Sequence, residues 1–150
     1  TVPPGTWIVG RGWDQTIWED KRFPTAAELD KVAPNHPVTL IAKNAHARVA
    51  NSAAMRAAHI TPDMADPPGG KLGRDTHGKA NGMFFEHASG LIKKAIPKPT
   101  LDEIVEALDE AQTHLLASVI TGLNDVDGNP AFDLDAMADG YRDRRLRSVP

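Results

Sequence analysis

The chain has 150 residues, ordinary proportions of apolar and charged side chains, a formal charge of −3 and no cysteine. Without thiols there are no disulfides, thiolate metal sites or cysteine nucleophiles, and without a surplus of Lys and Arg there is no electrostatic basis for binding nucleic acid. No apolar run approaches the roughly 20 residues that cross a bilayer, so the composition predicts a soluble protein with no membrane partner, and a cytoplasmic one in preference.

The chain opens on Thr1 rather than Met, the expectation for a piece of a longer polypeptide. Residues 6–9 form a short apolar run that ends at Gly10-Arg11-Gly12, predicting a strand that turns at the glycines. Trp13, Trp18 and Phe23 follow among polar residues and predict a loop or short helix that buries its rings. Thr25-Ala26-Ala27-Glu28 is a capping box, in which Thr and Glu satisfy free amides at a helix start, and Pro34 and Pro37 keep that helix brief. Val38-Thr39-Leu40-Ile41-Ala42 reads as a buried strand. The run from Ser52 to Ala58 is rich in helix formers, with Asn51 or Ser52 available as its cap and Ile60 near its end.

Residues 61–82 carry three prolines and several glycines, predicting a long loop of the kind that serves as a lid, with a small hairpin near 73–78. Met83-Phe84-Phe85 is an apolar run leading into a helix expected over 86–96. Pro97-Lys98-Pro99 marks a hinge. A second capping box, Thr100-Leu101-Asp102-Glu103, then opens a helix whose apolar positions Ile104, Val105, Leu108, Leu115 and Leu116 keep near-helical spacing. Residues 120–126 read as a strand ending in a polar loop, and Leu134, Met137, Ala138 and Tyr141 as the inner stripe of a last helix. Helix, strand, helix is the alternation of a parallel sheet, so the C-terminal third resembles the opening of a barrel or open sheet, and the first two thirds a separate α+β unit. The basic cluster Arg142, Arg144, Arg145 and Arg147 is interleaved with Asp139 and Asp143 and reads as a solvated helix end.

Several side chains are candidates for chemistry, each with a structural reading beside the functional one. His46 follows a buried strand and is either a hydrogen-bond donor to substrate or a satisfied structural histidine. Asn51 either caps the Ala-rich helix or contacts substrate. Trp13 and Asp14 either line a pocket or pack their own domain. Glu86, beside His87, is a candidate catalytic carboxylate that carries protons, or a first-turn helical Glu favoured by the helix dipole. Asp125 and Asp127 either face substrate at a strand end or make a polar turn. Gly69-Gly70-Lys71 matches no phosphate-binding fingerprint and reads as a turn. The six histidines include no His-x-His pair and none at i, i+4 spacing, so no catalytic metal site is expected within these residues.

Taken in order, residues 7–14 (Trp-Ile-Val-Gly-Arg-Gly-Trp-Asp), 28–38, 44–55, 66–70 and 81–88 resemble the YtcJ-like amidohydrolases, and Ile120-Thr121-Gly122-Leu123-Asn124-Asp125 is similar to a Gly-Val-Thr-Ser-Val-x-Asp strand of the same family. The resemblance implies a TIM-type (β/α)8 barrel hydrolase of amide, formamide or cyclic amide bonds in small molecules, using one or two divalent metals, zinc foremost. Residues 1–97 would be its accessory, or insert, domain, with a mixed sheet, and residues 98–150 the first helix, strand and helix of the barrel. It places the metal ligands, a His-x-His pair and further His and Asp residues, outside this chain. It also implies substrate-facing roles for Trp13, Asp14, His46, Asn51 and Asp125. The chain departs from the family pattern at Asn44-Ala45-His46 and Val49-Ala50-Asn51-Ser52, where Asp-Gly-His and Trp-Val-Asn-Ser are usual, and the departure bears on specificity more than on fold. The alternatives are a binding or regulatory module without chemistry, and a self-associating domain, a homodimer formed through the apolar residues Ile120, Leu123 and Val126.

Overall fold

The computed structural model describes residues 3–120 and 122. The strand and helix expected beyond Ile120, with Asp125 and Asp127, lie outside the described residues. The chain divides into two compact units, Thr1–Pro97 and Lys98–Pro150.

The first unit is built on a five-stranded mixed sheet in the order β1-β2-β3-β5-β4, from β1 (Ile8–Trp13), β2 (Val38–Ala42), β3 (Ala47–Ala50), β4 (Gly70–Arg74) and β5 (Ala80–Glu86). β1 and β2 run parallel, joined through α1 (Ala26–Val32), and every other pair is antiparallel. Two further helices, α2 (Ser52–Ala57) and α3 (Ser89–Lys93), follow β3 and β5. The apolar side chains divide between two clusters. One gathers Ala50, Ala54, Met55, Leu72, Phe84 and Ile92, and the other Ala42, Ala47, Val49 and Met83 with Leu29, Leu40 and Phe85 against them. Such a division follows from the alternation of side chains along paired strands.

Three expectations are corrected. The glycines at 10 and 12 do not end β1, which runs on to Trp13 with a register shift after Arg11. Gly10 serves close packing instead, since a Cβ there would lie 2.7 Å from Leu40 Cδ2. The loop expected over 61–82 is shorter than expected: the small hairpin placed near 73–78 forms, but it extends into a full strand pair, β4 and β5, whose facing residues Leu72 and Phe84 are fully buried. Its turn is set by Asp75, whose carboxylate accepts from the amides of His77 and Lys79 and is held below the usual carboxylate range by those bonds, the Lys79 bond foremost. The helix expected from Glu86 begins only at Ser89, because Glu86 is the last residue of β5.

Both capping boxes form. Glu28 accepts from the Thr25 amide at 2.8 Å, and Glu103 from the Thr100 amide at 2.7 Å. In the second unit the described element is α4 (Leu101–Ala117). No helix among the described residues is long and apolar enough to cross a membrane.

Candidate functional site at one end of the sheet

Strand directions bring five chain segments to one end of the sheet: β1, β2 and β5 finish there, and β3 and β4 begin there. Trp13, Asp14, His46 and Glu86 therefore share that end. Asn51 follows the last residue of β3 and sits at the other.

His46 and Glu86 meet twice. The Glu86 amide donates to the His46 carbonyl at 3.0 Å, extending the β3-β5 ladder by one bond, and the side chains pair at 3.0 Å between His46 Nδ1 and Glu86 Oε2. With the carboxylate accepting, Nδ1 carries the proton and Nε2 is left as the outward nitrogen. Both side chains are more than half exposed, so the pair is accessible to a substrate.

The backbone holding this pair is strained. Glu86 has φ +51° and Ala45 φ +63°, in the left-handed region that side chains with a Cβ disfavour. Ala45 makes the turn from β2 to β3: its amide donates to Ala42 O at 3.0 Å, and Asn44 Oδ1 accepts from the His46 amide at 3.0 Å. Opposite Glu86, β4 starts at a close approach. Gly69 has φ +70°, and a Cβ on it would lie 2.4 Å from His87 Nδ1. An alanine at position 45 costs about 1 kcal/mol relative to glycine in this conformation. Ala45→Gly is therefore expected to raise stability by about that amount. A urea midpoint that moves up with unchanged slope is the check, and an unchanged or lower midpoint would refute the strain.

Trp13, Asp14 and Asn51 have polar atoms engaged within the protein. Trp13 Nε1 donates to Leu40 O at 3.0 Å, and its ring stacks on Trp18 at 6.0 Å and meets the edge of Phe23 at 6.3 Å. Phe23 in turn contacts Phe85 edge to face. Asp14 caps the short 3₁₀ turn Gln15–Ile17. Its carboxylate accepts from the Thr16 hydroxyl at 2.6 Å and amide at 3.0 Å, bonds that lower its pKa. Asn51 is fully buried and uses its whole hydrogen-bonding capacity: Oδ1 accepts from the amides of Val38 and Ala54, and Nδ2 donates to Ala33 O and His36 O. Of its two readings the geometry supports the cap, and no donor or acceptor is left for a substrate. Glu86 does not take the helix-dipole role offered as its structural reading, since no helix starts at it.

Sequence reasoning passed over Arg48, whose signal was a single charge inside the apolar run 47–50. The residue is 7 % exposed, with its Nε unbonded. Among the described residues no group of three or more His, Cys, Asp or Glu is arranged to hold a metal ion, and a catalytic zinc takes about three protein ligands. His46 and Glu86 alone do not fit one.

The comparisons with known proteins agree with one another. The chain is 37% identical over 128 residues to the N-substituted formamide deformylase of Arthrobacter pascens, covering 83% of this chain and 24% of that protein. It is 35% identical over 121 residues to a Bacillus subtilis (strain 168) protein named as an amidohydrolase, YtcJ, covering 81% of this chain and 23% of the relative. The crystal structure of an uncharacterized metal-dependent hydrolase from Pyrococcus horikoshii OT3 superimposes with a TM-score of 0.66 at 26% identity, over 97% of this chain and 27% of that one. The chain thus spans about a quarter of the length of the relatives it matches. The model of the amidohydrolase family matches residues 1–143, and the chain belongs to that family.

Proposed function

We propose that this chain is part of a metal-dependent hydrolase of amide C–N bonds in small molecules, and that the sheet end bearing His46 and Glu86 forms a wall of its substrate pocket. Family membership and the metal-dependent hydrolase neighbour support the reaction class. One observation carries the site: two residues distant in sequence are brought to a 3.0 Å pair, with Glu86 held at a backbone angle it disfavours. Strain of that kind costs about 1–3 kcal/mol and persists where the surroundings impose it, most often at functional sites.

In amide hydrolysis water adds to the carbonyl carbon, the C–N bond breaks, and the leaving nitrogen takes a proton. His46 is suited to the last of these tasks. Glu86 fixes the imidazole by accepting from Nδ1–H, leaving Nε2 to hydrogen-bond the substrate, or to take up the proton released by the attacking water and pass it to the leaving nitrogen. Trp13 and Asp14 would form the shoulder of the same pocket by position. A divalent metal, zinc foremost, would be held by other parts of the enzyme and would supply the activation of water. In this reading residues 1–97 are the accessory domain, and residues 98–150 supply the first helix, strand and helix of a (β/α)8 barrel.

The test is a substrate panel, with N-alkylformamides, linear amides and cyclic amides offered to the protein that carries this chain, in zinc-supplemented buffer, and amine release followed. Turnover of at least one amide class is expected. Hydrolysis of esters or phosphate esters with no amide turned over would contradict the reading.

A further inference from the structure

Glu86 occupies a backbone position that glycine normally takes. The Ala88 amide donates to Phe85 O at 3.1 Å and closes a four-residue turn, in which Glu86 is the first inner residue and His87 the second. Glu86 has φ +51°, whereas His87 keeps a negative φ, and that combination belongs to turns whose first inner position favours glycine. The angle decides where the carboxylate goes. Rotation about N–Cα carries the Cβ with it, so a return to an ordinary extended φ of about −120° would swing the Glu86 side chain by roughly 170°, away from His46. The 3.0 Å pair therefore depends on what holds the turn in this shape.

The start of β4 holds it. Gly70 pairs with Glu86 in the β4-β5 register, and the Gly69 carbonyl accepts from the His87 amide at 3.3 Å. Beside that bond two backbones meet with no side chain between them: a Cβ on Gly70 would lie 2.2 Å from Ala88 N and 2.9 Å from both Ala88 Cα and His87 C. All three are main-chain atoms, so no change of rotamer could make room. Neither side is free to retreat. Ala88 is fully buried in the cluster that includes Leu72, Phe84 and Ile92, and the Gly70 amide is tied to Pro67 O at 3.0 Å. The turn is clamped between β4 and the core, and the bare backbone at position 70 is what lets it close.

We propose that Gly70 is a positioning residue for the His46–Glu86 pair: its missing side chain lets the turn from Phe85 to Ala88 close on β4, and the closed turn fixes the Glu86 angle that presents the carboxylate to His46. The consequence for catalysis rests on the hydrolytic reading given above, whereas the assembly of the pair does not.

The experiment compares Gly70→Ala with Gly73→Ala, which crowds the same two strands further along, where a Cβ would lie 2.5 Å from Met83 Cβ. Two readouts are taken on the protein that carries this chain. One is the nitrogen NMR shifts of the His46 ring at alkaline pH, which tell the Nδ1–H tautomer from the Nε2–H form. The other is kcat/KM on an amide that is turned over. Both glycine variants are expected to lose thermal stability. Gly70→Ala alone is expected to move His46 from the Nδ1–H form toward Nε2–H and to lower kcat/KM by about 10²-fold, with little further loss when Glu86→Gln is added. A His46 tautomer unchanged in Gly70→Ala, or changed equally in Gly73→Ala, would overturn the positioning role whatever the protein hydrolyses. A tautomer shifted only in Gly70→Ala with undiminished kcat/KM would support the positioning and contradict the catalytic reading of the pair instead. If Gly70→Ala does not fold, the Glu86→Gly background decides. Glycine at 86 lets the turn yield, so Gly70→Ala is expected to fold there, and failure in that background as well would overturn the proposal.

Discussion

Asn51→Ala is expected to destabilise the protein by about 4 kcal/mol, as the sum of a lost helix cap and of several polar groups left without partners. The side chain ties three segments together: the start of β2 through the Val38 amide at 2.9 Å, the first turn of α2 through the Ala54 amide at 2.9 Å, and the loop after α1 through the carbonyls of Ala33 at 3.1 Å and His36 at 2.8 Å. The Val38 and Ala54 amides lie in buried surroundings where water does not replace the lost oxygen, and each orphan costs about 1–3 kcal/mol. Asn51→Asp separates the contributions. It keeps the acceptor for both amides but turns a carboxylate oxygen toward two carbonyl oxygens, so it too is expected to lose more than about 2 kcal/mol. Chemical denaturation of both variants is the measurement. A loss below about 1 kcal/mol for the alanine variant would mean the cap is the only bond that counts.

Gly82→Val is the second large effect, with an expected loss of about 4 kcal/mol or failure to fold, since backbone strain and overpacking combine. Gly82 has φ +95°, and a Cβ there would lie 2.5 Å from Ala50 O and 2.6 Å from Ala26 Cβ. Neither neighbour can yield: Ala50 O belongs to the central strand and Ala26 to the first turn of α1. Gly78 is the internal control. It has φ +76° but open space around it, so Gly78→Ala is expected to cost only the conformational penalty of about 1 kcal/mol. Similar losses at the two positions would show that the close approach of α1 to β5 is not a packing constraint.

The elements legible in the sequence are those whose signals are short-ranged. Both capping boxes operate across three residues, and α1 and α4 start where Thr25 and Thr100 place them. β2 is readable because all but Thr39 of its residues are apolar. β3 is not, since Ala47–Ala50 holds two alanines and an arginine, and its strand character comes from lying between β2 and β5. The hairpin of β4 and β5 is legible at its turn near 73–78, but the length of its strands is hidden for a related reason. Leu72 is the one large apolar residue in β4, so no alternation announces the strand, and Asp75 and Gly78 marked only the turn.

The candidate site divides along the same line. His46 and Glu86 stood out individually because each flanks an apolar run, but their pairing is made by the antiparallel register of β3 and β5 across 40 residues, which no local pattern encodes. The two readings of Asn51 are not separable in sequence because the carbonyls that take up its amide, those of Ala33 and His36, come from the distant loop after α1. Ala45 stands where the family pattern has glycine. Its φ of +63° supplies the physical reason a glycine suits that position.

Everything said of the reaction turns on whether the carboxylate–imidazole pair takes part in catalysis, and kcat/KM of Glu86→Gln on whichever amide is turned over answers this most directly. Because the pair is exposed and worth about 1 kcal/mol or less to stability, the variant is expected to unfold within a few degrees of the wild type. Its kcat/KM is expected to fall by about 10²-fold or more, the range lost with a positioned proton carrier, and His46→Ala combined with it should add little, since the two side chains act as one unit. A folded Glu86→Gln protein that turns over amide at the wild-type rate would contradict the account.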